Sequence, residues 1–213
     1  MILAAGLGER MRPLTNHTPK PLLEVGGKAL IVYHIEKLAA AGFSEIIINI
    51  AHLGFMIPET LGNGSKWGIK ISYSDEQDEG ALESLGGIVK ALPLLGKKTF
   101  LVVNADVWCD YSFDTAFDLQ GKKAHLILVD NPEHNVKGDF GLENGCAISH
   151  SDVQYTFSGI GYYDPKMFAS QAYGSAALAP LLRENMVNLE IGATHYKGIW
   201  RDVGTPERLK ELN

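Results

Sequence analysis

Cysteine is scarce in this sequence, since only Cys109 and Cys146 occur among 213 residues. Two cysteines so far apart match no metal-binding spacing and no disulfide framework. No apolar run reaches the length of a membrane span, and no signal peptide precedes the first predicted strand. We therefore expect a cytoplasmic protein with reduced thiols and no membrane partner.

Positive charge is also in short supply, because the formal net charge is −6. Such a chain has no overall basic field to attract nucleic acid or an anionic membrane. The seven histidines have no metal-ligand spacing, and no Ser-His-Asp or Cys-His arrangement is suggested. With 46% hydrophobic residues, the chain can bury the core of one domain, which we predict to span residues 1–213.

The opening of the chain has the features of an anion-binding loop. A short apolar strand, Ile2–Ala5, runs into Gly6 and Gly8, whose backbone can turn tightly and present N–H groups to a ligand. Arg10, Arg12 and Lys20 add cationic groups suited to phosphate, and prolines on both sides of Lys20 restrict its backbone. A Gly-x-Gly pair alone is equally typical of an ordinary strand-to-loop turn. The loop is neither a Walker loop nor a complete dinucleotide motif, because Met11 occupies the third glycine position.

The first half of the chain alternates strands with helices. Continuous apolar runs predict strands at 45–50, 70–74, 100–103 and 124–129, and helical spacing predicts helices at 28–41, 56–61 and 84–95. This order predicts an α/β fold with a doubly wound, mostly parallel, Rossmann-like sheet. Ligands of such sheets bind outside the carboxyl ends of the strands.

The second half predicts an antiparallel subdomain. We expect a hairpin at 138–145, a strand at 153–163, a helix at 177–186, a hairpin-like pair of 191–196 with 198–203, and a last helix capped by Thr205. This change of pattern divides the chain into two parts, at about residues 1–110 and 111–213.

Two carboxylates are candidates for a metal site. Asp106 follows a buried strand, and Asp202 lies in a similar position, and Mg²⁺ prefers carboxylate and phosphate oxygens. Taken alone, Asp106 is also typical of a turn cap, and Asp202 could simply pair with Arg201. The acidic segment 75–79 is interpreted as a solvated loop rather than a metal site.

These landmarks together resemble the sugar-1-phosphate nucleotidyltransferases. The matching segments are 3–10, Pro19-Lys20-Pro21-Leu22, Leu82-Glu83-Ser84 with Gly86-Gly87, Val103-Asn104-Ala105-Asp106, and 200–205. The resemblance implies the nucleotide-diphospho-sugar transferase fold, with a nucleotide-binding part at about residues 1–110 and a sugar-binding part at about 111–213. It also implies a nucleoside triphosphate and a sugar 1-phosphate as substrates, and Mg²⁺ as cofactor. Within the family, the chain is most similar to members that use UTP. The alternatives are GTP with mannose 1-phosphate, dTTP with glucose 1-phosphate, or a non-catalytic sugar-nucleotide sensor.

The resemblance also implies roles for individual residues. Catalytic roles fall on Arg10, Lys20, Asp106 and Asp202, of which the two aspartates would bind Mg²⁺. Nucleotide binding falls on Ala5, Gly6, Gly8, Glu9, Arg10, Lys20, Glu83, Ser84 and Gly86. Sugar binding falls on Asn104, Asp139, Gly141, Ser158 and Gly159.

The chain departs from the family pattern at several positions. Ala105 replaces a glycine, and Ser84-Leu85 stands where Thr-Gly or Thr-Ala is common. No residue matches the lysine that many relatives place on the acceptor phosphate, for which Lys197 is a substitute candidate. The pattern leaves open whether a few residues precede Met1. We expect a monomer or a weak homo-oligomer.

Overall fold

The computed structural model describes all 213 residues. Its first half contains β1 (Ile2–Leu3), β2 (Glu24–Val25), β3 (Lys28–Ala29), α1 (Leu30–Ala40), β4 (Glu45–Ile50), α2 (Met56–Leu61), β5 (Lys70–Asp75), α3 (Glu83–Leu95), β6 (Phe100–Asn104) and β7 (Val107–Cys109). The second half contains β8 (Ala124–Val129), β9 (Phe140–Glu143), β10 (Cys146–Ile148), β11 (Gln154–Tyr163), α4 (Leu178–Met186), β12 (Ile191–His195), β13 (Trp200–Asp202) and α5 (Pro206–Lys210). None of the helices is long and apolar enough to cross a membrane.

Nine strands form one mixed sheet in the order β5-β4-β1-β6-β11-β8-β12-β10-β9. The four strands β5, β4, β1 and β6 are parallel to one another, which is the predicted doubly wound part. From β6 onward most pairings are antiparallel, as predicted for the second half, and only β8 with β12 is parallel. β9 also pairs with β11, so the last five strands close a ring of pairings.

The core lies on both faces of the parallel strands. In β4, Ile46 and Ile48 pack against the layer that contains α1, whereas Ile47 packs on the opposite layer with Ile88 of α3. Burial on both faces explains why the sequence of this strand is continuously apolar instead of alternating. The layers position the carboxyl ends of β1, β4 and β6 along one edge.

Several element predictions are confirmed, and the strands at 45–50 and 124–129 and the helix at 56–61 match to the residue. The last helix starts after Thr205, whose hydroxyl accepts a hydrogen bond from the N–H of Arg208. The predicted helix at 28–41 begins only at Leu30, because Lys28–Ala29 pair with Glu24–Val25 as a small hairpin.

The predicted hairpin of 191–196 with 198–203 is wrong. β12 joins the main sheet between β8 and β10, while β13 pairs with β7 in a separate two-stranded sheet. The apolar pattern of the two strands is right, but a pattern of this kind does not identify the partner of a strand. The pairing with β7 places Asp202 opposite Val107, next to Asp106.

Candidate active site

The loop after β1 is built around Gly8. Its backbone is left-handed (φ +64°), and a Cβ there would lie 2.8 Å from Cγ2 of Thr15. The buried Thr15 donates a hydrogen bond of 2.8 Å from its hydroxyl to the carbonyl of Gly8. A Cβ on Gly6 would meet no atom within 4 Å, so the loop is open on that side. The predicted loop is therefore fixed from within and open toward the neighbouring space.

That space is a cleft of about 550 Å³, here called the main cleft. It lies at the carboxyl ends of β1, β4 and β6, where ligands of parallel sheets bind. Its lining includes nearly all residues predicted to bind nucleotide, namely Ala5, Gly6, Gly8, Glu9, Arg10, Lys20, Glu83 and Ser84, together with Asn49, Asn104 and Asp106.

Lys20 and Asp106 form an ion pair in the main cleft, with 2.5 Å between Nζ and Oδ2. The Lys20 side chain is only 12% exposed, so its charge is largely removed from solvent. Arg10 also lines the cleft but makes no salt bridge within the chain, whereas Arg12 lies outside and pairs with Glu9. The cleft therefore holds one paired and one unpaired cation.

Asp202 lies beside Asp106 in the backbone, but its carboxylate has different partners. The N–H of Val203 donates to the carbonyl of Asp106 at 2.7 Å, which joins the two segments. The Asp202 carboxylate accepts from Arg208 at 2.5 Å and lies 3.1 Å from Nε2 of His134. It lines a separate space of about 760 Å³, the outer cleft, rather than the main cleft.

The donor set of these two aspartates suits Mg²⁺. They supply carboxylate oxygens from two hydrogen-bonded segments, and Mg²⁺ binds few protein carboxylates together with substrate phosphates. Both carboxylates accept from cationic side chains in this structure. The chemistry of the residues fits the group that the family resemblance implies, although Asp106 lines the main cleft and Asp202 the outer cleft.

The start of α3 forms one wall of the main cleft. Glu83 and Ser84 line it, and the Ser84 hydroxyl accepts a hydrogen bond of 3.0 Å from the N–H of Leu178. Gly86, which the resemblance also assigns to the nucleotide, is not among the residues that line it. A Cβ on Gly86 would lie 2.2 Å from the carbonyl oxygen of Gly174, so this glycine permits close packing instead.

Sequence reasoning missed a buried pair at the main cleft, formed by Asn49 and Glu76. Asn49 accepts from the N–H of Ala4 at 2.8 Å and donates to Glu76 at 2.8 Å. The other oxygen of Glu76 accepts from the N–H of Leu82 at 2.9 Å. The pair therefore links the start of the glycine loop after β1 to the start of α3. The only sequence signal was an asparagine interrupting the isoleucines of β4.

The interpretation of 75–79 as a solvated loop is wrong for Glu76, which is 0% exposed. Burial raises the pKa of its carboxyl group, and the hydrogen bonds from Leu82 and Asn49 oppose that shift. Glu79 of the same loop pairs with Lys90 and accepts from Tyr173. Asp75 and residues 77–79 are exposed as predicted, so the loop is solvated except at Glu76 and is held to the fold by the contacts of Glu76 and Glu79.

A second space of about 280 Å³, the side cleft, adjoins the main cleft. Leu3, Ser84 and Asn104 line both. Of the residues predicted to bind sugar, Asn104, Asp139 and Gly159 line the side cleft. Gly159 is left-handed (φ +77°), and a Cβ there would lie 2.6 Å from the amide nitrogen of Asn104, so only glycine leaves room for that side chain.

Ser158 and Gly141, which the resemblance also assigns to the sugar, do not line the side cleft. The Ser158 hydroxyl is buried (1% exposed) and donates to the carbonyl of Ile127 at 2.7 Å. A Cβ on Gly141 would lie 2.5 Å from Cβ of Ser151, so this glycine serves the packing of the hairpin. The structure therefore does not bring these two residues together with Asn104, Asp139 and Gly159. Lys197 lines the outer cleft.

Comparison with known proteins agrees with this geometry. The profile of the nucleotidyl transferase family matches residues 1–213. The N-acetylmuramate alpha-1-phosphate uridylyltransferase of Neisseria meningitidis is 50% identical over 99% of this chain and 95% of its own length. The enzyme of the same name from Caulobacter vibrioides is 32% identical over 97% of this chain and 92% of its own length.

Among solved structures, a putative glucose-1-phosphate thymidylyltransferase from Bacillus anthracis superposes with a TM-score of 0.87. It covers 100% of this chain and 92% of its own, at 23% identity, and so shows a shared fold. The family match extends over residues 1–213 and so includes the loop after β1, Lys20, Asp106 and the residues that line the three clefts. This chain belongs to the nucleotidyl transferase family.

Proposed function

We propose that this protein transfers the uridylyl group of UTP to N-acetylmuramate 1-phosphate, giving UDP-N-acetylmuramate and pyrophosphate. The observation that carries the reaction type is the Lys20–Asp106 pair in a phosphate-binding cleft that opens, past Asn104, into a second cleft. The choice of substrates is supported by the Neisseria relative, which is 50% identical along nearly the whole chain.

The reaction brings two anions together, so positioning and charge neutralisation account for its catalysis. An oxygen of the acceptor phosphate forms a bond to the α-phosphorus of UTP. The bond from that phosphorus to the oxygen bridging to the β-phosphorus breaks, and pyrophosphate leaves with the electron pair. Arg10 has no anionic partner within the chain and is placed to bind the departing pyrophosphate. Lys20 is placed to bind phosphate in the same cleft.

Asp106 and Asp202 would hold Mg²⁺, and the ion when bound would offset phosphate charge. Lys20 pairs with the Asp106 carboxylate and Arg208 with that of Asp202 in this structure. Substrate phosphate offers Lys20 a second anionic partner, so the lysine can exchange the carboxylate for phosphate. Arg208 and His134 keep the Asp202 side chain in a defined position.

The wall formed by Glu83 and Ser84 would contact the nucleoside. Its position relative to the phosphate loop is fixed by Asn49 and Glu76, which join the two segments through buried hydrogen bonds. A rigid connection of this kind fixes the position of the base relative to the triphosphate, and an in-line transfer requires such fixed positions.

Two other functions remain alternatives. One is the same chemistry with GTP and mannose 1-phosphate, and a mannose-1-phosphate guanylyltransferase subunit of Drosophila melanogaster is 26% identical over 97% of this chain. The other is a non-catalytic sensor. A sensor needs neither an unpaired cation for the leaving pyrophosphate nor carboxylates that can bind a metal ion. The presence of Arg10, Asp106 and Asp202 therefore favours an enzyme.

Pyrophosphate release over a matrix of four nucleoside triphosphates and several sugar 1-phosphates tests the proposal. We expect the highest kcat/KM for UTP with N-acetylmuramate 1-phosphate. Higher kcat/KM with N-acetylglucosamine, glucose or mannose 1-phosphate, or with GTP or dTTP, would overturn the substrates and leave the reaction type standing. No release with any pair would favour the sensor.

The proposed setting is the cytoplasm, where such a reaction would recycle a cell-wall sugar. The partners are the two small-molecule substrates, and the net charge of −6 favours neither nucleic acid nor anionic membrane. We propose a monomer or a weak homo-oligomer.

A further inference from the structure

One cationic side chain, Arg183, lines the side cleft, and no other Lys, Arg or His does. It extends from α4 and donates to the carbonyls of Ser149 and Asp139, at 3.0 Å each. Its guanidinium carbon lies 4.9 Å from the ring centroid of Phe140. The side chain is therefore held in place by neutral groups.

Arg183 has no counterion in the chain. It forms no salt bridge with any Asp or Glu. The carboxylate of Asp139, which also lines the side cleft, instead accepts from the N–H of Phe157 at 2.8 Å and from the amide of Asn135 at 3.2 Å.

A half-buried guanidinium in a largely apolar cleft is costly without an anion nearby. Two of its five N–H donors are used by the carbonyls, which leaves three for a ligand. A planar fork of this kind is suited to a carboxylate or a phosphate. The cleft is thus prepared for an anionic group.

The proposed acceptor carries two anions, its 1-phosphate and the carboxylate of its 3-O-lactyl group. The phosphate has to reach the α-phosphorus beside Arg10 and Lys20 in the main cleft. The sugar then extends past Asn104 into the side cleft, and the carboxylate is the anion left for Arg183. The sequence pattern indicates no cation here, because Arg183 lies on α4, which is distant in the sequence from Asn104 and Asp139 although Arg183 contacts Asp139 in the fold.

We infer that Arg183 binds the lactyl carboxylate of N-acetylmuramate 1-phosphate and so determines selectivity against neutral hexosamine 1-phosphates. The inference rests on the proposed function and names the residue that distinguishes its acceptor. It makes Arg183 a specificity-determining residue of the side cleft.

The test combines changes in the acceptor with changes in the protein, as in a double-mutant cycle. Steady-state kcat/KM with UTP is measured for N-acetylmuramate 1-phosphate, its lactyl carboxamide analogue and N-acetylglucosamine 1-phosphate, using wild type, Arg183→Gln and Arg183→Lys. Lys166→Gln, which removes an exposed cation that lines none of the three clefts, is the control. Thermal unfolding midpoints report on folding of each variant.

We expect the carboxamide to lower kcat/KM of wild type about 10- to 100-fold, as for the loss of a charge-assisted hydrogen bond. In Arg183→Gln the acid and the amide should be used almost equally, while N-acetylglucosamine 1-phosphate should be nearly unaffected. Arg183→Lys should retain part of the preference for the acid, and Lys166→Gln should match wild type.

An equal fall in kcat/KM for all three acceptors in Arg183→Gln would contradict the inference. That result is expected if Arg183 only holds the β9–β10 hairpin in place or binds the phosphate common to the three acceptors. Wild type that uses acid and amide equally would contradict it even if Arg183→Gln does not fold, and would leave the proposed function intact. Wild type that does not use N-acetylmuramate 1-phosphate at all would overturn the proposed function and this inference together.

Discussion

Asn49, which lines the main cleft, donates a hydrogen bond of 2.8 Å to Glu76, and both side chains are buried. Gly87 leaves room for this pair, since a Cβ there would lie 2.8 Å from the Asn49 amide nitrogen and 2.8 Å from a Glu76 oxygen. The pair ties the glycine loop after β1 to the wall that would contact the nucleoside. Its removal should therefore affect both stability and catalysis.

For Asn49→Leu we expect a loss of about 2 to 4 kcal/mol in the free energy of unfolding, because the N–H of Ala4 and the carboxylate of Glu76 each lose a buried partner. We also expect kcat/KM to fall about 10- to 100-fold, because the loop after β1 is no longer held in a fixed position relative to the start of α3. Denaturant unfolding and steady-state kinetics measure the two effects. The same change at the exposed Asn188 should alter stability by about 0.5 kcal/mol or less. Equal results for the two variants would contradict a structural role for the pair.

Gly159→Ala should weaken acceptor use through Asn104. Gly159 and Gly68 both have positive φ (+77° and +70°), but only at Gly159 would a Cβ meet another side chain. Gly68→Ala therefore carries only the backbone strain, of about 1 to 2 kcal/mol, whereas Gly159→Ala also displaces Asn104. We expect only Gly159→Ala to raise KM for the sugar 1-phosphate. A similar KM for both variants would show that Asn104 does not contact the acceptor.

Arg10→Gln should lower kcat about 10²- to 10³-fold, as expected for the loss of a group that stabilises charge developing in the transition state. The KM for the sugar 1-phosphate should change little, because we place the partner of Arg10 in the departing pyrophosphate. Arg12→Gln is the matched control, since Arg12 pairs with Glu9 outside the main cleft. A raised acceptor KM with unchanged kcat would place Arg10 on the acceptor instead.

Asp106→Asn and Asp202→Asn should each lower kcat by orders of magnitude at saturating Mg²⁺ while the fold survives. The reason is that carboxylate oxygens are the ligands Mg²⁺ prefers. Circular dichroism and the Mg²⁺ dependence of pyrophosphate release measure the two properties, with Asp152→Asn at an exposed site as control. Wild-type turnover for either variant in excess Mg²⁺ would contradict the metal assignment.

His34 should make stability depend on pH. Its imidazole is buried in α1 (2% exposed), and burial lowers its pKa from 6.5 to about 4. As pH falls, the His34 imidazole of the unfolded chain binds a proton before that of the folded chain does. The stability that the neutral imidazole contributes is therefore fully present above pH 6.5 and is lost as pH falls toward 4. Relative to His34→Leu, wild type should lose about 1.4 kcal/mol of unfolding free energy per pH unit in that window. Parallel pH profiles for the two proteins would contradict the pKa shift.

The sequence was sufficient for the features that depend on local pattern. The glycine loop, the capped last helix and the strands of continuous β-branched residues are all of this kind, and they were predicted in the right places. Asp106 and Lys20 were also identified, because each lies at a marked position, after a strand or between prolines.

The features that depend on tertiary partners were not predictable. Nothing in the pattern of β11 indicates that the Ser158 hydroxyl is buried against the carbonyl of Ile127, and its sugar role was implied by the resemblance alone. An acidic run is usually solvated, and the burial of Glu76 requires an asparagine from another strand. Arg183 reaches the side cleft only because α4 packs beside the hairpin of β9 and β10.

The most direct test of the proposed reaction is a competition. The protein is incubated with equal concentrations of UTP, GTP, CTP and dTTP and of N-acetylmuramate, N-acetylglucosamine, glucose and mannose 1-phosphates, and the sugar nucleotides formed are identified by mass spectrometry. We predict UDP-N-acetylmuramate as the main product, formed together with an equal amount of pyrophosphate. A different main product, or no sugar nucleotide at all, would contradict the account.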